Sequence, residues 1–172
     1  MNPIIKLSTI VLLAFFVVNS FAQTLSSSEN PKYNSSINPK YTASINPKYT
    51  ASINPKYTAS INPKYTASIN PKYTASLNPK YTASLNPKNS GWSGYYFYNT
   101  NAQPIGAVVV ANRENFSYFN GELEWAGFFS TNGSGGYNWF NLEDEWIGYL
   151  IHNGENGFNL FNLDGEWIGS LA

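Results

Sequence analysis

The C-terminal half of this 172-residue chain predicts an all-β fold: four 21-residue β-hairpin repeats, closed into a propeller-like domain with pseudo-fourfold symmetry. Three observations carry the prediction. Tyr98-Asn99, Phe119-Asn120, Phe140-Asn141 and Phe161-Asn162 fall in one column, and Gly106, Gly127, Gly148 and Gly169 follow seven residues after each Asn. A constant step of this kind marks a modular array. Asp164-Gly165 sits between two apolar runs and reads as a two-residue type I′ hairpin turn, whose central residues both need positive φ. Finally, neither end of the array carries a polar capping unit, which an open solenoid requires; closing the ring removes the exposed strand edges instead.

Within the fourth unit, pairing outward from Asp164-Gly165 sets Asn162 opposite Trp167, Phe161 opposite Ile168, Leu160 opposite Gly169 and Phe158 opposite Leu171. One face of this hairpin then carries Phe158, Leu160, Trp167 and Leu171, and the other Phe161, Leu163 and Ile168. Both faces need cover, and a lone two-stranded ribbon is marginal in water. Each hairpin must therefore pack between its neighbours. The glycine column lies diagonally beside Trp125, Trp146 and Trp167, with Pro104 in the first copy, which predicts an indole lying over a residue that has no side chain. The first copy, Tyr98 to Gly106 (YNTNAQPIG), is the divergent one.

The chain opens differently. Met1 to Ala22 carries Lys6, an apolar run from Ile10 to Val18 and the small-residue ending Ser20-Phe21-Ala22. That is the pattern of a secretory signal peptide cleaved after Ala22, and its apolar run is too short to span a bilayer. Residues 23–90 form a second repeat, with Asn-Pro-Lys beginning at Asn30, Asn38, Asn46, Asn54, Asn62, Asn70, Asn78 and Asn86, a step of eight. Each Asn-Pro holds its Asn extended. The low apolar content per octad predicts a mostly disordered stalk, with a ribbon of short strands as the competing reading. The octads carry eight lysines and one glutamate, a net of +7, whereas Arg113 stands against nine acids beyond residue 90, a net of −8. Opposite blocks on one chain predict attraction between stalk and domain, within or between molecules. The absence of cysteine from the sequence rules out a disulfide framework.

Runs such as YYFYNTNAQPIGAVV (Tyr95 to Val109) and GFNLFNLDGEWIGSL (Gly157 to Leu171), four to a domain, resemble the bacterial 4-fold beta flower family. The resemblance covers residues 91–172. It implies four hairpins set as petals about a pseudo-fourfold axis and brings no functional residues with it. Gly91-Trp92 and Tyr95-Tyr96 are also similar to pairs in choline-binding cell-wall repeats, although in this chain the recurrent Trp follows the turn instead of opening the repeat.

Catalytic patterns are missing from the sequence. His152, the single histidine, falls in a linker between units, no nucleophile has a base in view, and no His/Cys cluster exists. No enzyme activity, cofactor or nucleic-acid partner is expected. The one acidic constellation is at the hairpin turns, where fourfold symmetry would gather Glu124, Glu145 and Glu166, with Gln103, into a ring able to hold a hard cation; solvated turn charges are the ordinary alternative. The sequence therefore points to a secreted, non-catalytic surface or matrix protein. Its β-repeat domain binds a partner or self-associates, and its basic Tyr/Lys-rich stalk is adhesive. The alternative is a carbohydrate- or cell-wall-binding module that stacks sugars on exposed aromatics, with Trp92, Tyr95, Tyr96, Trp139 and Tyr149 as candidates. A glycan, cell-surface polymer or matrix polymer is the expected partner.

Overall fold

The computed structural model describes residues 25–172; the expected signal peptide lies outside them. Eight strands follow the octads: β1 (Tyr95–Asn99), β2 (Pro104–Val110), β3 (Asn115–Asn120), β4 (Trp125–Thr131), β5 (Tyr137–Phe140), β6 (Trp146–His152), β7 (Phe158–Asn162) and β8 (Trp167–Leu171). Each strand pairs antiparallel with its successor, and β1 pairs with β8, so the sheet is a closed barrel. The expectation of a closed all-β domain is met. Closure runs through continuous ladders between hairpins, such as Tyr149 opposite Phe161, so the wall is one sheet.

Inside the barrel, residues one repeat apart meet in layers. Tyr95, Phe116, Tyr137 and Phe158 pack as a plug near the end that carries the loops between hairpins, with the Phe116 and Tyr137 rings stacked at 4.3 Å. Val108, Phe129, Leu150 and Leu171 form a fully buried layer. Toward the hairpin turns, Phe97, Tyr118 and Trp139 meet edge to face at 5.0–5.8 Å, beside the fully buried Leu160. Offset and edge-to-face ring pairs add about 0.5–1.5 kcal/mol each beyond burial.

The turns explain the Asn column and correct the predicted register. Asn162 Oδ1 accepts from the N–H groups of Asp164 (3.0 Å) and Glu166 (2.9 Å), and the Asn162 N–H donates to the Glu166 carbonyl at 3.0 Å. Asn99, Asn120 and Asn141 make the same pattern in their own turns. The loop is thus three residues long, with only its third residue at positive φ: Ala102, Leu123, Asp144 and Gly165. Such a loop ends in a bulge. Leu160 opposite Gly169 and Phe158 opposite Leu171 stand as predicted, but Phe161 faces Trp167 and Ile168 is the extra residue. The two-residue type I′ reading fails because only one residue of the turn takes the left-handed conformation.

The glycine column also has a different cause. A Cβ on Gly148 would lie 2.6 Å from the Phe161 carbonyl oxygen, and one on Gly127 2.7 Å from that of Phe140. Glycine is required because the backbone of the next hairpin approaches there; the indole of the Trp column is not its neighbour. Gly148→Ala is expected to cost about 1–3 kcal/mol in urea unfolding, and Gly121→Ala, where a Cβ meets nothing closer than 3.8 Å, less than about 0.5 kcal/mol. Equal effects at the two positions would rule out the close-approach explanation.

Candidate functional site

The octads are neither disordered nor stranded. From Asn30 onward they form an unbroken series of turns, with seven short 3-10 segments, Ser35–Ile37, Ala43–Ile45, Ala51–Ile53, Ala59–Ile61, Ala67–Ile69, Ala75–Leu77 and Ala83–Leu85. The local chemistry is periodic. Asn46, extended at φ −98° as Asn-Pro predicts, accepts on Oδ1 from the Lys48 N–H (2.9 Å) and on its carbonyl from the Tyr49 and Thr50 N–H groups (3.0 Å each). Its Nδ2 donates back to the Pro39 carbonyl at 2.7 Å, and the Thr50 hydroxyl donates to that of Ala43 at 2.7 Å. Pro at the second position of such a turn is already held at the φ the turn needs.

What the disordered-stalk reading missed is the surface on which this coil lies. Phe119, Phe128, Phe140, Tyr149 and Phe161 are all at most 2 % exposed, yet they sit apart from the interior cluster. They belong to the outer face, on which Asn138 donates from Nδ2 to the Ile45 carbonyl (3.3 Å). Ile45, Ile53, Ile61 and Ile69 are 3–8 % exposed, and every octad proline from Pro31 to Pro79 is buried. The octads are therefore a belt, and its Ile-Asn-Pro edge completes a second core outside the barrel. Each buried Ile contributes about 1.5–3 kcal/mol.

Polar contacts place the belt along the barrel. Asn38 lies beside Gly165, and Asn62 Nδ2 donates to Asp144 Oδ1 at 3.0 Å. Lys48 and Lys72 stand over the rings of Trp146 and Trp125 at 5.8 and 5.6 Å. From Asn38 to Asn62, and again from Lys48 to Lys72, the belt advances by three octads while its partners on the barrel shift by one hairpin repeat. Lys64 closes an ion pair with Asp144 at 3.0 Å, and a looser one joins Lys80 to Glu124 at 3.7 Å. The opposite charges of the two blocks thus meet within one molecule.

The outer edge of the belt is aromatic. Tyr33, Tyr41, Tyr49, Tyr57, Tyr65, Tyr73 and Tyr81 are 68–76 % exposed, one per octad, and each follows a lysine. No helix among the described residues is long and apolar enough to cross a membrane.

The predicted site residues separate into groups. Trp92 and Tyr96 are together at the surface, their ring centroids 4.7 Å apart, and the Tyr96 hydroxyl donates to the Pro87 carbonyl (3.1 Å). Tyr95 belongs to the aromatic plug and, with His152, lines a shallow depression of about 580 Å³ at that end of the barrel. Trp139 and Tyr149 are not sugar platforms: Trp139 lies in the interior layer, and Tyr149 is 2 % exposed and stacked on Phe161. Strand alternation explains Trp139, which shares the inward face of its strand with Tyr137; the belt explains Tyr149. The carboxylate ring is corrected as well. Glu145 and Glu166 accept from the amides of Asn141 (2.7 Å) and Asn162 (2.9 Å) in their own turns, Glu124 faces Lys80, and among the described residues no three acidic or imidazole groups converge. Of the Trp column, Trp125 and Trp146 act as seats for belt lysines. Trp recurring at the hairpin step, set against Lys at the octad step, was the available signal for the belt.

Burial raises the phenol pKa of Tyr149 far above its ordinary value of 10.0. Tyr118 and Tyr137 are raised too, by burial first and then by Glu122 and Tyr95 respectively. Comparison of the chain with protein-family models, curated proteins and solved structures gave no match.

Two outcomes follow from this geometry. Below pH about 10 the Tyr149 phenol is neutral in both folded and unfolded chains; above it only the unfolded chain ionises, so stability falls with rising pH, by up to about 1.4 kcal/mol per unit. Tyr149→Phe, whose lost hydroxyl is buried with no partner among the described residues, should leave the neutral-pH midpoint unchanged or raised and flatten the alkaline decline in urea titrations. Asp144→Asn keeps an acceptor for Asn62 at a positive-φ position but loses the Lys64 pair. It should cost about 1 kcal/mol and speed hydrogen exchange of the Tyr65 and Thr66 amides, with a smaller salt dependence than the parent chain.

Proposed function

We propose that the chain is a secreted, non-catalytic surface or matrix protein, in which the barrel is a spool that holds an adhesive belt in a fixed curve. The observation that carries this reading is the ladder of seven tyrosines, each about three-quarters exposed, at one constant interval and each beside a lysine. Large rings exposed in one regular row, rather than scattered singly, mark an interaction surface. Their regularity matches a partner that is itself repetitive, such as a glycan or a cell-surface or matrix polymer, to which many weak contacts add by avidity.

In the same reading, residues 1–22 are a signal peptide removed after Ala22, and the barrel is four copies of one hairpin unit of the 4-fold beta flower kind. The equal spacing of the starts of β2, β4, β6 and β8, at Pro104, Trp125, Trp146 and Trp167, supports the repeat. Contact between basic octads and acidic turns supports attraction between the two blocks, which at high concentration would also join separate molecules.

A second reading, a carbohydrate- or wall-binding module, is favoured by the partly exposed rings of Trp92 and Tyr96.

The test is attachment of the full chain to polysaccharide-coated and bare surfaces. Replacing Tyr41, Tyr49, Tyr57 and Tyr65 by Ser removes exposed rings only, so the melting temperature should move little while attachment drops at least tenfold. Undiminished attachment with the four rings gone would end the adhesive reading.

A further inference from the structure

The belt does not pass equally over all four hairpins. Its charged and ring anchors fall on the acidic and indole groups of the second and third units, Asn38 lies beside Gly165 of the fourth, and the belt meets the first near its own end, where the Tyr96 hydroxyl donates to the Pro87 carbonyl. In the first unit the equivalents of those anchors are absent. Ala102 stands where Asp144 holds Lys64, Gln103 where Glu124 meets Lys80, and Pro104 where Trp125 and Trp146 seat lysines. Pro104 and Ile105 are exposed, whereas Trp125, Ala126, Trp146 and Ile147 are partly covered. The outer face of β1 also differs: Tyr96 and Tyr98 are partly exposed at the positions where Asn138 and Phe140, or Asn159 and Phe161, are buried.

These rings are not scattered. Trp92 meets Tyr96 at 4.7 Å, and Tyr96 meets Tyr98 at 5.8 Å, giving a continuous aromatic strip. Beside it, between the end of the belt and the turn of the second hairpin, is a groove of about 210 Å³ lined by Tyr96, Pro104, Leu123, Asn120 and Lys88. The polar lining has a free donor. Asn99, Asn141 and Asn162 each donate their side-chain amide to Gln103, Glu145 and Glu166 (2.7–3.1 Å), but Glu124 is drawn toward Lys80, and the Asn120 amide makes no such bond among the described residues.

We propose that this belt-free quadrant is a saccharide-binding site: Trp92, Tyr96 and Tyr98 stack the apolar faces of successive neutral pyranose units, and Asn120 donates to a ring hydroxyl from the groove wall. A mainly apolar concavity with a few placed donors is the usual form of a small-ligand site. The loss of both carboxylate anchors argues against a second copy's basic octads as the occupant, since nothing remains to pair their lysines. The volume of the groove is that of about one sugar ring. This inference deepens the second reading above and rests on the chain being a non-catalytic binder.

The experiment is affinity electrophoresis of the full chain through gels containing a mixed-linkage β-glucan, a galactomannan or dextran, with polygalacturonate as the anionic comparison. At least one neutral polymer should retard the chain. Trp92→Ala should weaken that retardation at least tenfold while the melting temperature falls by only a few degrees, the effect of losing one half-buried ring pair. Trp92→Phe should preserve most of the retardation, and Tyr49→Ser with Tyr57→Ser on the belt should leave it intact. Retardation by none of the three neutral polymers, retardation by polygalacturonate alone, or a Trp92→Ala chain that migrates like the parent would each overturn the proposal. Attachment that depends on the belt tyrosines without retardation by any neutral polymer would sink this site and leave the adhesive reading standing.

Discussion

An eight-stranded sheet closed on itself has a dry inside and normally a wet outside, and this one does not. Its outward rings, Phe119, Phe128, Phe140 and Phe161, are fully buried, and they can be so only because another part of the chain lies over them. That requirement is the constraint from which the rest of the molecule follows. The octads cannot form a core by themselves, since each offers one Ile or Leu and one Pro; the barrel cannot leave a band of phenyl rings in water. Each supplies the missing half of the other's interior.

The match in spacing is what lets two unrelated repeats meet. Three octads cover the same arc as one hairpin unit of the barrel, so that Asn38 and Asn62 reach equivalent turns, as Lys48 and Lys72 reach equivalent indoles. A single octad has no counterpart of its own on the barrel, and burial along the belt shows the longer, three-octad period. Asn38 and Asn62 are buried, as are Asn46 and Asn70, while Asn54 and Asn78 are only partly covered. Identical octads thus occupy three kinds of place on the wall. Their sameness reflects the local turn, which every octad must make, and the variation in burial comes from the barrel beneath.

Divergence of the first hairpin acquires a physical cause in this arrangement. The second and third units meet belt lysines with an acid and an indole at their turns, and the unit beyond the belt's end carries neither. Pro104, Gln103 and Ala102 stand where those groups would have no lysine to meet. The tyrosine pair on β1 likewise replaces an Asn-Phe pair that elsewhere lies under the belt.

Much of the barrel could be read from residue order, because strand alternation and turn chemistry act over a few neighbours. The constant hairpin step, the recurrent Asn column, the all-β class and the charge opposition of the two blocks can all be read from residue order without coordinates. Details of register did not, since a three-residue loop with one left-handed residue and a two-residue loop share the same Asp-Gly signature. The order of the octads was beyond the reach of sequence for a stronger reason. Turn-forming Asn-Pro-Lys-Tyr and a sparse apolar content describe a disordered stalk equally well, and the difference lies in a surface contributed by residues far along the chain, as Asn138 is from Ile45 and Gly165 from Asn38. Tertiary structure alone decided which faces of the hairpins turn inward, which aromatics are left in solvent and which quadrant stays bare, because burial is a property of what lies opposite a side chain and not of the side chain itself.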